Sequence, residues 1–239
     1  MKGRWLVALA LIVAASAAVR TANLGTNPPG LFTDEAAAIF DARSLLETGR
    51  DMWGERFPLF FRSLGDYNSG FHRYLMVPLI AILGNKIYAA RLASALVSIA
   101  TVVICLFIGM RLGGERAGVL CAMFVGFSPW SIMYARVAQE QSLLPLFLAI
   151  IVWAYLAWRD SEPRFYRDLS LGALFALAFY SYQPARVLIP ALFAGFVLLE
   201  IRTLGFRRAL HMALGFALVL TPALHFFILR PQDFLARAR

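Results

Sequence analysis

Apolar and polar positions alternate in long blocks along this chain, with apolar runs at 5–22, 87–110, 117–134, 142–158, 169–182, 187–201 and 212–229 separated mostly by short polar turns. A helix of roughly 20 apolar residues crosses about 30 Å of hydrocarbon and closes its own backbone hydrogen bonds while doing so. The pattern therefore predicts an all-α, polytopic membrane helix bundle with about seven transmembrane helices. RLGGER, at 111–116, reads as a tight turn between the second and third of them.

The longest polar segment, roughly 23–70, follows the first run and carries Pro28, Pro29 and several glycines. Within it, AAAIFDARSLLETG reads as a short amphipathic helix lying flat on the membrane. Thr33 or Asp34 would be its N-cap, Gly49 its stop, and Ile39, Ala42 and Leu46 its apolar face. FHRYLMVPLIAILG, at 71–84, is too short to cross and has Pro78 inside it, which predicts an interfacial or re-entrant helix.

Composition supports the membrane reading. The chain is 60% hydrophobic and 15% charged, with mean hydropathy +0.68, and so has too little polar surface to cover a soluble globule of its size. Its net charge of +9 comes from basic residues placed singly or in twos and threes between apolar runs. That arrangement orients a membrane protein and excludes a nucleic-acid partner. Cys105 and Cys121 fall inside predicted spans, where a thiol is a small apolar packing residue, so neither a disulfide nor a metal site follows. The amino terminus, MKGRWLVALALIVAASAAVRTA, imitates a signal peptide. Its apolar run is long for one, and six further spans follow, so it reads as a retained first helix of a single transmembrane module over 1–239.

With the amino terminus in the cytoplasm, Lys2, Arg4, Arg111, Arg116, Arg159, Arg164, Arg167, Arg202, Arg207 and Arg208 share the cytoplasmic side. The short outer turns keep only Arg136 and Arg186. The segment 23–86 is then the first outer loop, and Asp34, Glu35 and Glu140 sit on the non-cytoplasmic side.

Two readings of Asp34 and Glu35 stay open on spacing alone. They complement the dipole of the helix they begin, or they act chemically as carboxylates partly desolvated against the membrane, as suits a general base. Arg136 and Glu140 are four residues apart and would share a face of a continuous helix, where they either pair with each other or meet an anionic lipid head group. Arg186, near Tyr180 and Tyr182, is either an interfacial anchor or a phosphate contact. His72 and Arg73 form a cationic pair with the same two options. No zinc-ligand spacing or phosphate-cradling glycine loop is present. A transporter is disfavoured because the central parts of the runs lack Asp, Glu, Lys and Arg and no repeated half appears.

The order of these features resembles a known family. The Asp-Glu pair in GLFTDEAAAIFDARSLLETG, then AARLASAL, the RLGGERAG turn, SPWSIMYAR and an acid just beyond are similar to the amino-terminal half of GT-C glycosyltransferases. The likeness is to bacterial members of the protein O-mannosyltransferase and lipid A aminoarabinose transferase group. It implies an integral membrane glycosyltransferase, in the bacterial inner membrane, that moves a sugar from a polyprenyl-phosphate donor to an acceptor hydroxyl of a glycan, lipid or protein on the outer face.

In that family the first-loop Asp is the catalytic carboxylate. The resemblance thus implies that role for Asp34, with Glu35 as second member of the motif and Glu140 as the acid after the third span. Arg136 matches a recurrent Arg of the family segment, and by their charge and place Arg136, Arg186, His72 and Arg73 are the candidate donor-phosphate contacts. Membrane lipids are the other expected partners. A divalent cation is compatible with the family, and the residues do not decide its use. Relatives have eleven or more spans, so the carboxy-terminal half of a typical member has no counterpart in 1–239. A non-catalytic membrane module of the same fold is the remaining alternative.

Overall fold

The computed structural model describes residues 3–63 and 67–231. Lys2 lies outside them, as does the tail 232–239, and Arg4 is described through its backbone alone. The elements are α1 (Gly3–Thr21), α2 (Thr33–Thr48), β1 (Phe60–Arg62), β2 (Tyr67–Ser69), α3 (Phe71–Leu83), α4 (Ile87–Phe127), α5 (Pro129–Ala135), α6 (Leu143–Arg159), α7 (Phe165–Phe179), α8 (Ala185–Leu204) and α9 (Phe206–Leu229). A 3₁₀ turn, Glu140–Ser142, precedes α6.

The predicted spans are helical, although not each of them is a separate helix. The runs 87–110 and 117–134 join in α4, which leaves helical geometry at Gly113 and Gly114, where Gly114 takes φ 77°. Only glycine adopts that backbone readily, so the RLGGER turn doubles the helix back on itself. The limbs then touch closely: a Cβ on Gly109 would stand 2.7 Å from the Ala117 carbonyl oxygen, and one on Gly118 3.0 Å from that of Leu106. The third run is not one helix, because Ser128 is extended and Pro129 begins α5. Among the described residues, α4, α6 with its leading turn, and α9 are long and apolar enough to cross a membrane. Helices α1, α7 and α8 occupy the other three predicted spans.

The chain forms two compact units, Met1–Pro58 with Phe71–Ala149 and Leu59–Gly70 with Ile150–Arg239. In the first, Leu9 of α1 packs against Val102 and Leu106 of one α4 limb and Ala122 of the other. A second core joins Ala38 and Ala42 of α2, Met76 and Ile80 of α3, and Ala89, Ala90 and Ala93 of α4. Its small residues let these backbones approach closely.

In the second unit β1 and β2 pair antiparallel, Phe60 opposite Ser69 and Arg62 opposite Tyr67, a short hairpin that apolar periodicity did not predict. Beside it α7 and α9 meet almost backbone to backbone. A Cβ on Gly172 would lie 1.9 Å from the Met212 carbonyl oxygen, and one on Gly215 2.0 Å from that of Leu169.

Candidate functional site

Helix α2 begins where expected but without the expected cap. Phe32 is its N-cap, no side chain caps it, and Thr33 is already helical. Gly49 ends it at φ 68°, its amide donating to the Leu45 carbonyl, as predicted. The buried face is Glu35, Ala38, Asp41, Ala42 and Leu45, rotated from the predicted one, and Leu46 is exposed. The rotation has an electrostatic cause: it carries two carboxylates inward to two arginines.

Glu35 is fully buried. Arg91 of α4 grips it in a bidentate pair, Nε to Oε1 at 2.8 Å and Nη2 to Oε2 at 3.0 Å, and the Ala138 amide adds a third bond to Oε1 at 2.8 Å. Arg91 spends its other N–H groups on the carbonyls of Leu24 (3.1 Å), Pro28 (2.8 Å) and Gly30 (2.7 Å). A buried charge persists only when paired and hydrogen-bonded in this way. One guanidinium thereby ties the segment 24–30, the first turn of α2 and α4 together. Asp34, next along the chain, is exposed, and its carboxylate makes no hydrogen bond or ion pair among the described residues. Adjacent residues of a helix point about 100° apart, so burying Glu35 turns Asp34 outward.

Asp41, one and two-thirds turns further on, accepts from Arg73 Nε at 2.9 Å and from the Met52 amide at 3.1 Å. Burial pushes its carboxyl above the usual range, and the Arg73 charge and these bonds lower it only in part. Arg73 Nη1 also reaches Glu140 Oε2 at 3.7 Å, so Asp41, Arg73 and Glu140 form one chain of charges.

Three expectations need correction. His72 is not a cation: it is fully buried, with Nε2 2.7 Å from Ser94 Oγ, and desolvation, helped by the Arg73 charge, lowers its pKa to about 3. Arg136 does not pair with Glu140, because α5 ends at Ala135 and no continuous helix joins them. Its guanidinium donates instead to the carbonyls of Val19, Ala22 and Asn27. Arg186 is no snorkelling anchor: it is buried in the second unit, donating to the Tyr67 carbonyl, with its guanidinium 5.0 Å from the Phe60 and Phe227 ring centroids. Tyr180 is likewise buried, donating to the Val219 carbonyl at 2.7 Å.

Of the residues singled out from the sequence, Asp34, Glu35, His72, Arg73, Arg136 and Glu140 lie in the first unit, and Arg186 lies in the second. Asp41 and Arg91 are the members that sequence reasoning missed. An arginine four residues into an apolar run was the available signal for Arg91. Among the described residues no group of three or more His, Cys, Asp or Glu side chains is placed to hold a metal ion.

Residues 71–226 match the model of the dolichyl-phosphate-mannose-protein mannosyltransferase family. The chain belongs to that family. Its mannosyltransferase-family segment includes His72, Arg73, Arg91, Arg136, Glu140 and Arg186, while Asp34 and Glu35 stand before it. The fold is that of a GT-C glycosyltransferase, a polytopic membrane helix bundle, and the protein is an integral membrane protein. Crystal structures of ArnT from Cupriavidus metallidurans share it: the form bound to undecaprenyl phosphate at TM-score 0.67 and 20% identity over 98% of this chain, and the apo form at 0.70 and 19% over 96%. The chain spans 43% of the length of ArnT in each case. No curated protein matches it by sequence.

Proposed function

We propose that this mannosyltransferase-family chain carries the base of a glycosyltransferase that moves a sugar from a polyprenyl-phosphate carrier to an acceptor hydroxyl on the outer face of the membrane. The ArnT structure that holds undecaprenyl phosphate supports that class of carrier. The single observation that carries the reading is the contrast in the Asp-Glu pair: Glu35 is buried and triply bonded, so Asp34 is free to meet a substrate.

In the proposed step the acceptor oxygen attacks the anomeric carbon and its proton passes to Asp34. The bond from that carbon to the phosphate oxygen breaks, and the polyprenyl phosphate leaves with the electron pair, already charged. Such a leaving group needs cationic neutralisation more than a protonating acid, so one base and some arginine suffice for a single inverting displacement. The two-carboxylate scheme of glycosidases, whose acid serves a poorer leaving group, does not carry over directly.

Glu35 and Arg91 act as positioning residues that hold the first turn of α2. Arg136, half-buried and tied to backbone carbonyls alone, is the cation proposed to face the donor phosphate. Arg73 joins it with a charge shared between Asp41 and Glu140. His72, being neutral, contributes shape and a hydrogen bond rather than charge, and Arg186 orders the β1–β2 hairpin. The proposed orientation places the amino terminus in the cytoplasm of a bacterial inner membrane, as the basic residues of the turns suggest.

The test is transfer from a panel of radiolabelled polyprenyl-phosphate sugars in membranes carrying wild type or Asp34→Asn. Asp34→Asn is expected to abolish transfer while membrane insertion is unchanged; equal transfer by both proteins would remove Asp34 as base. Binding of polyprenyl phosphate without turnover by wild type would favour a non-catalytic module.

A further inference from the structure

The second unit contains a groove of about 370 Å³ between α6 and α7, away from every residue assigned above. One wall is Trp153, Ala154, Ala157 and Trp158, closed at its end by Ser161, and the other is Arg167, Ser170, Leu171 and Leu174. These positions recur at i, i+3/i+4 and i+7, so each wall is one continuous helix stripe about two turns long.

Trp158 is a fixed wall. Its indole donates to Asp168 Oδ1 at 2.8 Å, and Arg208, itself paired to Asp168 at 2.9 Å, lies 4.4 Å over its ring. The deep part of the groove is apolar and sits along the spans, which suits a hydrocarbon chain. The mouth is different. Arg167 stands there half-buried, with one N–H on the Glu162 carbonyl. The Ser161 and Ser170 hydroxyls donate to the Trp158 and Tyr166 carbonyls, which leaves their oxygens as acceptors.

The geometry points to a site for one anionic phospholipid with a hydroxyl-bearing head group, of the phosphatidylglycerol class. An acyl chain lies on Ala154, Ala157, Leu171 and Leu174, the phosphate meets Arg167, and the head-group hydroxyls donate to Ser161 and Ser170. Charge complementarity selects the anionic lipid over a zwitterionic one, since a guanidinium matches a phosphate that no ammonium already neutralises. The size suits a specific site, within the usual range for small-molecule pockets. This inference is independent of the proposed chemistry.

Native mass spectrometry of the full chain, titrated separately with phosphatidylglycerol and phosphatidylcholine, tests it. The expectation is one saturable phosphatidylglycerol bound about tenfold more tightly than phosphatidylcholine, near the effect of one cation at a lipid surface. Arg167→Gln removes that preference and leaves phosphatidylcholine binding unchanged, and Ala157→Phe, which fills the groove, weakens both lipids. Arg164→Gln makes the same charge change outside the groove and leaves the preference intact. Equal affinity of wild type for the two lipids, or the same loss from Arg164→Gln as from Arg167→Gln, would overturn the site in favour of general surface attraction.

Discussion

Within each unit, a different contact stands out. In the first, the helices between α1 and α4 are short, and α2 is joined to its neighbours by Glu35–Arg91 and Asp41–Arg73, two ion pairs with almost no exposure. In the second, α7 and α9 meet through glycines at near-contact distance, beside stacked rings such as Phe193 and Phe216, 4.2 Å apart at 4°. The difference follows from the solvent each must displace. Spans surrounded by hydrocarbon gain little from hiding apolar side chains and associate by close packing. A loop helix of 16 residues is too short to be stable alone, and directional charge pairs fix its register where packing area is small.

Three experiments sharpen this contrast. Gly172→Ala should have the largest effect, because its methyl carbon would overlap the Met212 carbonyl and force α7 from α9. The cost is expected to exceed the roughly 1–3 kcal/mol of ordinary overpacking, read as loss of a monodisperse folded species in detergent. Next comes Arg91→Gln, which leaves Glu35 buried without a cation at a cost of about 3–5 kcal/mol, measured by thermal unfolding. Arg91→Lys should rescue little, since an ammonium cannot reproduce the bidentate grip or fill five acceptors. The smallest effect concerns His72. Its folded-state pKa lies below the unfolded value, so its neutral form supplies stability that is complete above about pH 6.5 and is lost as pH falls toward 3. His72→Gln should flatten that part of the stability-against-pH curve; an unchanged slope would assign it to other groups.

The spans were legible because membrane helices are written in composition, and the Gly113–Gly114 reversal because two glycines between apolar runs leave few alternatives. Gly49 as the stop of α2 was legible for the same local reason. The inward face of α2 was not, since its apolar stripe at Ile39, Ala42 and Leu46 competes with partners distant in sequence. Arg91 and Arg73 outweigh that stripe by taking Glu35 and Asp41 out of water in pairs. The mistaken pairing of Arg136 with Glu140 has a related origin. Spacing of four residues speaks only within an unbroken helix, and the chain leaves helical geometry after Ala135. Asp34 was singled out by its motif, whereas its outward direction depends on what its neighbour Glu35 binds.

The five acceptors around the Arg91 guanidinium come from residues 24 to 35, made long before residue 91, and the amide that completes Glu35 comes later still, from Ala138. During synthesis the acidic motif therefore waits without its anchor until α4 has been made. The loop that follows α1 therefore takes its shape late, and an assembly factor or protease that acts on nascent chains would meet it still unformed.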